Sequence, residues 1–145
     1  MLIVTESSGM SIEKDNTLAK NLKSKTEQNK NLEVINGDAL KILKSFDQNE
    51  VFSNSDWKLI GNIPYYISGY LFRVISELKN KPKICVFTIQ YEVANRLNAK
   101  PPNMNLLAAS MQVWTETKII TIVPRGAFNP PPKVVSSVIK LKTKE

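Results

Sequence analysis

The sequence predicts an α/β fold, in which the strands of an open sheet alternate with helices along the chain. Short apolar runs such as 57–60 are followed by segments in which apolar residues recur with helical spacing. The run 83–89 is almost continuously apolar, which is typical of a strand buried on both faces of a sheet. Two β-rich runs near the end of the chain, 112–123 and 134–142, predict an antiparallel strand pair.

The order of the elements follows from these periodicities and from the polar turns between them. We expect strands at 10–13, 32–35, 57–60, 83–89, 112–123 and 134–142. We expect helices at about 16–24, 39–45, 68–78, 93–97 and 104–111, and a polar loop at 47–56. Residues 1–9 are poorly patterned and are interpreted as the end of a helix or as an unrelated start.

Length and composition limit the class of protein. The 145 residues make one domain, and no stretch is apolar for long enough to cross a bilayer. The start of the chain lacks the pattern of a secretory signal. Cys85 is the only cysteine and lies in an apolar run, which excludes an intrachain disulfide and indicates a reduced, cytoplasmic compartment. The chain contains no histidine, so metal catalysis has little support and we expect no bound metal.

The net charge is +7, from 20 basic and 13 acidic residues. This balance favours a polyanionic partner, chiefly nucleic acid, because lysine and arginine attract phosphates. A solvated, lysine-rich surface explains the charge at least as well. The charge therefore supports a nucleic-acid partner without establishing one.

The segment 61–68, Gly-Asn-Ile-Pro-Tyr-Tyr-Ile-Ser, lies where a strand ends and a helix begins, which is where open α/β sheets bind ligands. Pro64 fixes its own φ and biases Ile63 toward extended geometry. Asn62 and Ile63 can then present an amide oxygen and a carbonyl as two acceptors for an exocyclic amine, such as the N6 amine of adenine. Tyr65 can cover the face of the ring. The alternative is an Asn-X-Pro turn whose tyrosine packs on the core.

Five segments resemble the ribosomal RNA adenine N6,N6-dimethyltransferase family. They are 12–15, 36–40, 62–65, 90–97 and 127–137. Each is weak evidence by itself, whereas five in the family's order make a specific match. The resemblance implies a Rossmann-like class I methyltransferase sheet and the cofactor S-adenosylmethionine.

The resemblance also implies roles for residues at the ends of strands. The catalytic residues that it implies are Asn62, Ile63, Tyr65 and Phe128. Tyr65 and Phe128 are expected to grip the target adenine by stacking. Arg125 and Lys133 flank the turn around Phe128 and are expected to contact RNA phosphates. Without the family match, a rigid proline turn with Phe128 in the core is the better interpretation.

The cofactor-binding residues that the resemblance implies are Glu13, Asp38, Ala39 and Asn62. Glu13 is expected to bind the ribose, and Asp38 to accept from the cofactor's adenine amine beside Ala39. Both acids have an alternative role. Glu13 and Asp15 also suit the start of a helix, and Asp38 also suits the N-cap of the helix that begins at Ala39.

The chain departs from the family pattern at both ends. None of its glycines belongs to a Gly-X-Gly motif, and too few residues precede Glu13 for a strand, a glycine-rich turn and a helix. We therefore expect a sheet without its first strand and Gly-rich loop, and inner edges that are unpaired or forced together. We expect 1–145 to be a partial catalytic domain without the family's C-terminal helical RNA-binding domain.

The function that the resemblance implies is S-adenosylmethionine-dependent N6-dimethylation of adenines in small-subunit ribosomal RNA. The expected partner is this RNA or a pre-ribosomal particle, bound by a cytoplasmic monomer with no membrane partner. Two alternatives stay open. The chain is a catalytically inactive fragment that binds ribosomal RNA, or it methylates adenine in DNA, where Asn-X-Pro-Tyr motifs also serve.

Overall fold

The computed structural model of the chain describes residues 1–4, 9–46 and 56–144. The strands in this part are β1 (Leu2–Val4), β2 (Gly9–Glu13), β3 (Leu32–Asn36), β4 (Lys58–Asn62), β5 (Ile84–Gln90), β6 (Thr115–Val123) and β7 (Ser136–Thr143). The helices are α1 (Asn16–Thr26), α2 (Ala39–Phe46), α3 (Ser68–Glu77), α4 (Tyr91–Leu97) and α5 (Leu106–Gln112). The predicted α/β fold is confirmed. Nearly all of the predicted loop 47–56 lies outside the described residues.

The described strands form one sheet in the order β3-β2-β1-β4-β5-β7-β6. β2 pairs with β3 in parallel, and so does β4 with β5. The carboxyl ends of these four strands therefore share one edge of the sheet. β7 runs antiparallel between β5 and β6, which confirms the predicted antiparallel pair at the end of the chain.

The prediction about the inner edges of the sheet is wrong. The structure places β1 between β2 and β4, antiparallel to both, so the two inner edges are paired. Leu2 lies opposite Ser11 on one side and Ile60 on the other. A strand of three residues is too short for a test of periodicity, and the backbone groups of its two neighbours fix it in place. The sheet thus has a central strand, but one that runs against its neighbours.

Side-chain caps set the start of two helices. The Asp15 carboxylate accepts a hydrogen bond from the backbone N–H of Leu18 at 2.8 Å, so the helix-start interpretation of Asp15 is confirmed for α1. Asn105 caps α5 through the N–H of Ala108 at 3.0 Å. This cap starts α5 at Leu106 rather than at 104. The helix then continues to Gln112, so β6 begins later than predicted.

The core lies between the central strands and the helices that cover them. Phe72 of α3 and Phe87 of β5 are both buried and pack edge to face, with ring centroids 6.0 Å apart. Along β5, fully buried residues alternate with half-buried ones, so one face of this strand is packed more completely than the other. In the described ranges, no helix is long and apolar enough to cross a membrane. Those ranges also contain no cluster of acidic, cysteine or histidine side chains suited to a metal ion.

Candidate active site

The candidate site lies at the edge of the sheet where the parallel strands end. β4 ends at Asn62, which is in register with Thr88 near the end of β5. β7 runs the opposite way and starts at this same edge, with Ser136 opposite Gln90. Strand ends at such an edge place polar side chains around a common ligand position.

Backbone hydrogen bonds fix the turn after β4 at both of its ends. The N–H of Ile63 donates to the carbonyl of Thr88 at 3.1 Å, which extends the ladder between β4 and β5 by one step. Pro64 has φ −55° and ψ 132°, so the chain stays extended there before a short 3-10 helix, Tyr65–Ile67. The carbonyl of Pro64 accepts from the N–H of Ile67 at 3.1 Å. The φ of Pro64 agrees with the value that its ring imposes.

Two hydrogen-bond acceptors stay available in this turn. Within the described part of the chain, neither the side chain of Asn62 nor the carbonyl of Ile63 has a hydrogen-bond partner. Asn62 is exposed, whereas the side chain of Ile63 is buried. Backbone carbonyls in proteins are normally paired, so one without a partner among the described residues is suited to accept a hydrogen bond from a ligand.

A cavity of about 250 Å³ lies against this turn. It is lined by Asn62, Ile63, Pro64, Tyr65, Phe128, Pro130 and Pro132. The volume is just below the roughly 300–1,000 Å³ of sites for drug-sized ligands, so it suits a single flat ring. Phe128 is half-buried and lines this cavity, so the alternative that placed it in the core is wrong.

Tyr65 is anchored by a hydrogen bond that the sequence did not reveal. Its hydroxyl lies 2.7 Å from the hydroxyl of Ser136, which is fully buried at the start of β7. The carbonyl of Tyr65 accepts from the Ser68 hydroxyl at 2.9 Å. The hydroxyl of Tyr65 and its backbone carbonyl are therefore each held by a serine hydroxyl. Ser136 lies in the segment 127–137 that resembles the family, but a serine at the start of a strand has no periodic signal that marks it.

Glu13 ends β2 and faces the start of α1. One of its carboxylate oxygens accepts from the N–H groups of Lys14 at 2.8 Å and Asp15 at 3.0 Å. The other oxygen accepts no hydrogen bond from the described residues. Burial lowers the pKa of the Met1 amino group, and the charge of Glu13 counteracts this shift. Glu13 therefore takes part in the helix start and keeps one oxygen for a ligand.

Asp38 follows β3 and precedes α2. One carboxylate oxygen accepts from the N–H of Leu40 at 2.9 Å, so Asp38 does cap this helix. The other oxygen lies 3.9 Å from the ammonium of Lys14, which is largely exposed. Ala39 is the first residue of α2 and is half-buried. The two roles considered for Asp38 thus use different oxygens of the same carboxylate.

The predicted residues fall into two groups along the sheet edge. Glu13 and Asp38 follow neighbouring strands, and the ion pair through Lys14 links their loops. Neither acid lines the cavity around Asn62, because β1 lies between β2 and β4. Met1, which directly precedes β1, lies beside Gly61 of β4: a Cβ atom at Gly61 would be 3.7 Å from the Met1 side chain. The start of β1 therefore separates the two acids from the cavity around Asn62.

Arg125 and Lys133 lie outside the cavity lining. Both side chains are exposed, and the guanidinium of Arg125 donates to the carbonyl of Lys133 at 3.3 Å. This bond closes the loop that carries Phe128. Both cations belong to the loop that carries Phe128, so they can bind phosphates without occupying the cavity.

A larger cavity, of about 660 Å³, lies at the opposite edge of the sheet, where β6 begins. Its lining includes Lys100, Glu116 and Lys144. No residue assigned to the methyltransferase site by resemblance lines it. The smaller cavity is the better candidate, because its lining combines hydrogen-bond acceptors for an amine with aromatic rings that can stack on a flat ring.

Comparison with known proteins assigns the family. The model of the ribosomal RNA adenine dimethylase family matches residues 5–145. This chain belongs to that family. The resemblance found in the sequence is therefore confirmed.

Curated relatives of this chain include bacterial ribosomal RNA small subunit methyltransferases A. The ribosomal RNA small subunit methyltransferase A of Dehalococcoides mccartyi is 35% identical over 132 residues, which cover 91% of this chain and 44% of the relative. The protein of that name from Clostridium botulinum is 39% identical over 135 residues, covering 90% of this chain and 47% of the relative. The chain spans about half the length of the curated relatives it matches.

Solved structures confirm the methyltransferase fold. A dimethyladenosine transferase from Plasmodium falciparum matches with a TM-score of 0.77 at 31% identity, covering 93% of this chain and 47% of the other. The 23S rRNA methyltransferase ErmE matches with a TM-score of 0.74 at 24% identity, covering 93% of this chain and 52% of the other. The second match is a likeness of fold alone.

Proposed function

We propose that this chain forms the part of an S-adenosylmethionine-dependent methyltransferase that modifies the N6 amine of adenines in small-subunit ribosomal RNA. The proposal includes transfer of two methyl groups, a pre-ribosomal RNA partner and a cytoplasmic location. Family membership supports the reaction class, and the name of the curated relatives supports the RNA substrate. The buried, unpaired thiol of Cys85 suits a reduced compartment.

The observation that carries this proposal is the set of groups around the smaller cavity. Asn62 and the carbonyl of Ile63 offer two acceptors, one for each hydrogen of an exocyclic amine. Tyr65 and Phe128 border the same space. Stacking of a base on an aromatic side chain contributes about 1–3 kcal/mol per contact, enough to retain a base that has left its helix.

The residues of the chain act mainly by positioning. Holding both N6 hydrogens outward turns the nitrogen lone pair away from the ring, which makes the amine a better nucleophile. The Tyr65–Ser136 hydrogen bond restrains the ring that we assign to stacking on the base. Alignment of reacting groups contributes a large part of the rate in such reactions, so no histidine base is needed.

The acids at the ends of β2 and β3 fit the cofactor because carboxylate oxygens accept hydrogen bonds from hydroxyls and amines. Glu13 and Asp38 each keep one carboxylate oxygen without a hydrogen bond from the described residues. Glu13 is assigned to the ribose hydroxyls, and Asp38 with Ala39 to the adenine amine. S-adenosylmethionine, when bound, supplies an electrophilic methyl group on its sulfonium. Arg125 and Lys133 are assigned to RNA phosphates.

The substrate class can be tested with one set of labelled reactions. The purified 145-residue chain is incubated with methyl-labelled S-adenosylmethionine and, separately, small-subunit ribosomal RNA or duplex DNA. We expect label in the RNA, recovered as N6-methylated adenosine when nucleosides are separated by mass spectrometry. Label in DNA alone would show that the substrate is adenine in DNA. If the chain binds the RNA but transfers no label to it, the chain is an RNA-binding fragment without activity.

A further inference from the structure

One large aromatic side chain beside the cavity is almost fully exposed. Tyr66 follows Tyr65 in the short 3-10 helix, and 86% of it is open to solvent, whereas Tyr65 is half-buried. Tyr66 makes no hydrogen bond or ring contact with the described residues. The phenol ring of Tyr66 therefore adds no hydrogen bond or ring contact to the described part of the fold. Exposed tyrosines at a ligand edge are typical of binding surfaces.

Further basic and aromatic groups lie in the helices next to Tyr66. Tyr70 is four residues further on, in the first turn of α3, which directly follows the 3-10 helix that contains Tyr66. Tyr70 is 49% exposed. The Lys44 ammonium of α2 lies 2.7 Å from its hydroxyl and 5.1 Å from its ring centroid. Lys41 lies one turn earlier in α2 and is also exposed.

We propose that Tyr66, Tyr70, Lys41 and Lys44 form a binding surface for the single-stranded RNA that flanks the target adenine. We call this set the tyrosine–lysine surface. The inference rests on the proposed function, because that function puts the target base beside Tyr65. The residue next to Tyr65 is then placed to stack on the next base of the strand.

The chemistry of this surface fits a single strand. Non-specific single-strand binding combines stacking on aromatic rings with cations along the backbone, and this surface contains both. An ammonium has three donors, so Lys44 keeps two for phosphate oxygens after its bond to Tyr70. The net charge of +7 favours the same polyanion.

The Tyr70–Lys44 contact also has a purely structural explanation, as a tie between α3 and α2. Tyr66 has no such partner among the described residues, so it separates the two explanations. Replacing Tyr66 by alanine removes the stacking ring, which makes no hydrogen bond or ring contact with the described residues. Replacing it by phenylalanine keeps the ring.

Fluorescence anisotropy with labelled single-stranded oligoadenylate tests this surface in the 145-residue chain. We expect Tyr66→Ala to weaken binding roughly tenfold, as for loss of one stacked base, and Tyr66→Phe to bind like the original chain. The matched control is Leu106→Ala, which removes a side chain that is also 86% exposed, on α5. The control is expected to bind like the original chain.

Salt dependence tests the lysines separately. Lys44→Ala should reduce the magnitude of the slope of log affinity against log salt by about 0.7, as for one lost phosphate contact on a single strand. Lys100→Ala removes an exposed lysine at the opposite edge and should leave the slope unchanged. An unchanged slope in Lys44→Ala would remove this lysine from the surface.

The outcomes separate this inference from the proposed function. If Tyr66→Ala binds RNA as tightly as the original chain, or if the original chain binds no RNA, the tyrosine–lysine surface is not an RNA site. A protein partner would then be the alternative occupant. If RNA binding depends on Tyr66 but no methyl group is transferred, the surface stands and the enzymatic proposal fails. If Tyr66→Ala binds RNA as tightly as the original chain and both transfer methyl groups, the function stands and the surface fails.

Discussion

The hydrogen bond between Tyr65 and Ser136 makes a quantitative prediction about stability. A buried neutral hydrogen bond contributes about 0.5–1.5 kcal/mol net, but a buried group left without its partner costs about 1–3 kcal/mol. Ser136 is fully buried, whereas Tyr65 is half-buried and can bond to water. Tyr65→Phe strands the buried partner and should therefore cost about 2 kcal/mol. Ser136→Ala strands the half-exposed partner and should cost about 1 kcal/mol.

The double variant measures the bond itself. Because its two hydroxyls interact, the free-energy losses of Tyr65→Phe and Ser136→Ala should not add, and we expect a coupling energy of about 1 kcal/mol. Urea unfolding followed by tryptophan fluorescence gives the free energies from the midpoint, provided that the slope stays constant. Ser137→Ala is the matched control. The Ser137 hydroxyl is equally buried and has no hydrogen-bond partner among the described residues, so its removal should not destabilise the chain.

Two results would refute this reasoning. Losses that add within about 0.3–0.5 kcal/mol would mean that the two hydroxyls do not interact. A larger loss for Ser136→Ala than for Tyr65→Phe would mean that the buried hydroxyl is not the one left without a partner. Either result would remove the support for a fixed aromatic wall beside the cavity.

Three further predictions concern the core and the cofactor residues. Phe87→Ala should lower the free energy of unfolding by about 3–5 kcal/mol, measured in urea, because the ring is fully buried against Phe72; a loss below about 1 kcal/mol would contradict this packing. Burial raises the pKa of the Cys85 thiol, so iodoacetamide should alkylate it only after unfolding, as judged by mass spectrometry of intact protein; rapid labelling of the folded chain would contradict its placement. In calorimetry we expect S-adenosylmethionine to bind the chain in the micromolar range, about −8 kcal/mol. Asp38→Asn should weaken this binding, since an amide cannot replace both carboxylate acceptors. Equal affinity of the variant and the original chain would mean that Asp38 is not part of the cofactor site.

Much of the fold could be predicted because its signals are local. The apolar run that became β5 and the helical spacing of α3 both appear within ten residues of sequence. The strand ends then place Asn62 at one edge. The proline explains why the turn stays extended, so the position of this part of the site could also be predicted.

The rest depends on partners far away in the chain. β1 is a strand only because β2 and β4 flank it, and no pattern in three residues reveals that. Ser136 meets Tyr65 across 71 positions of sequence, so neither residue shows the contact locally. In the sequence, the helix-cap and ligand roles of Asp38 compete for one carboxylate, whereas in the structure the cap uses one oxygen and the other oxygen lies 3.9 Å from the Lys14 ammonium.

The most direct test of the enzymatic account is methyl transfer to small-subunit ribosomal RNA by Asn62→Ala. The Asn62 side chain is exposed and has no hydrogen-bond partner in the described part of the chain, so its loss should change stability by no more than about 0.5 kcal/mol. Asn103→Ala, at an exposed loop position, is the matched control. We predict at least about a hundredfold loss of transfer for Asn62→Ala, with RNA binding nearly intact, as for a misplaced reacting group, and no loss for the control. Transfer that is unchanged in Asn62→Ala would contradict the assigned role and, with it, the proposed site.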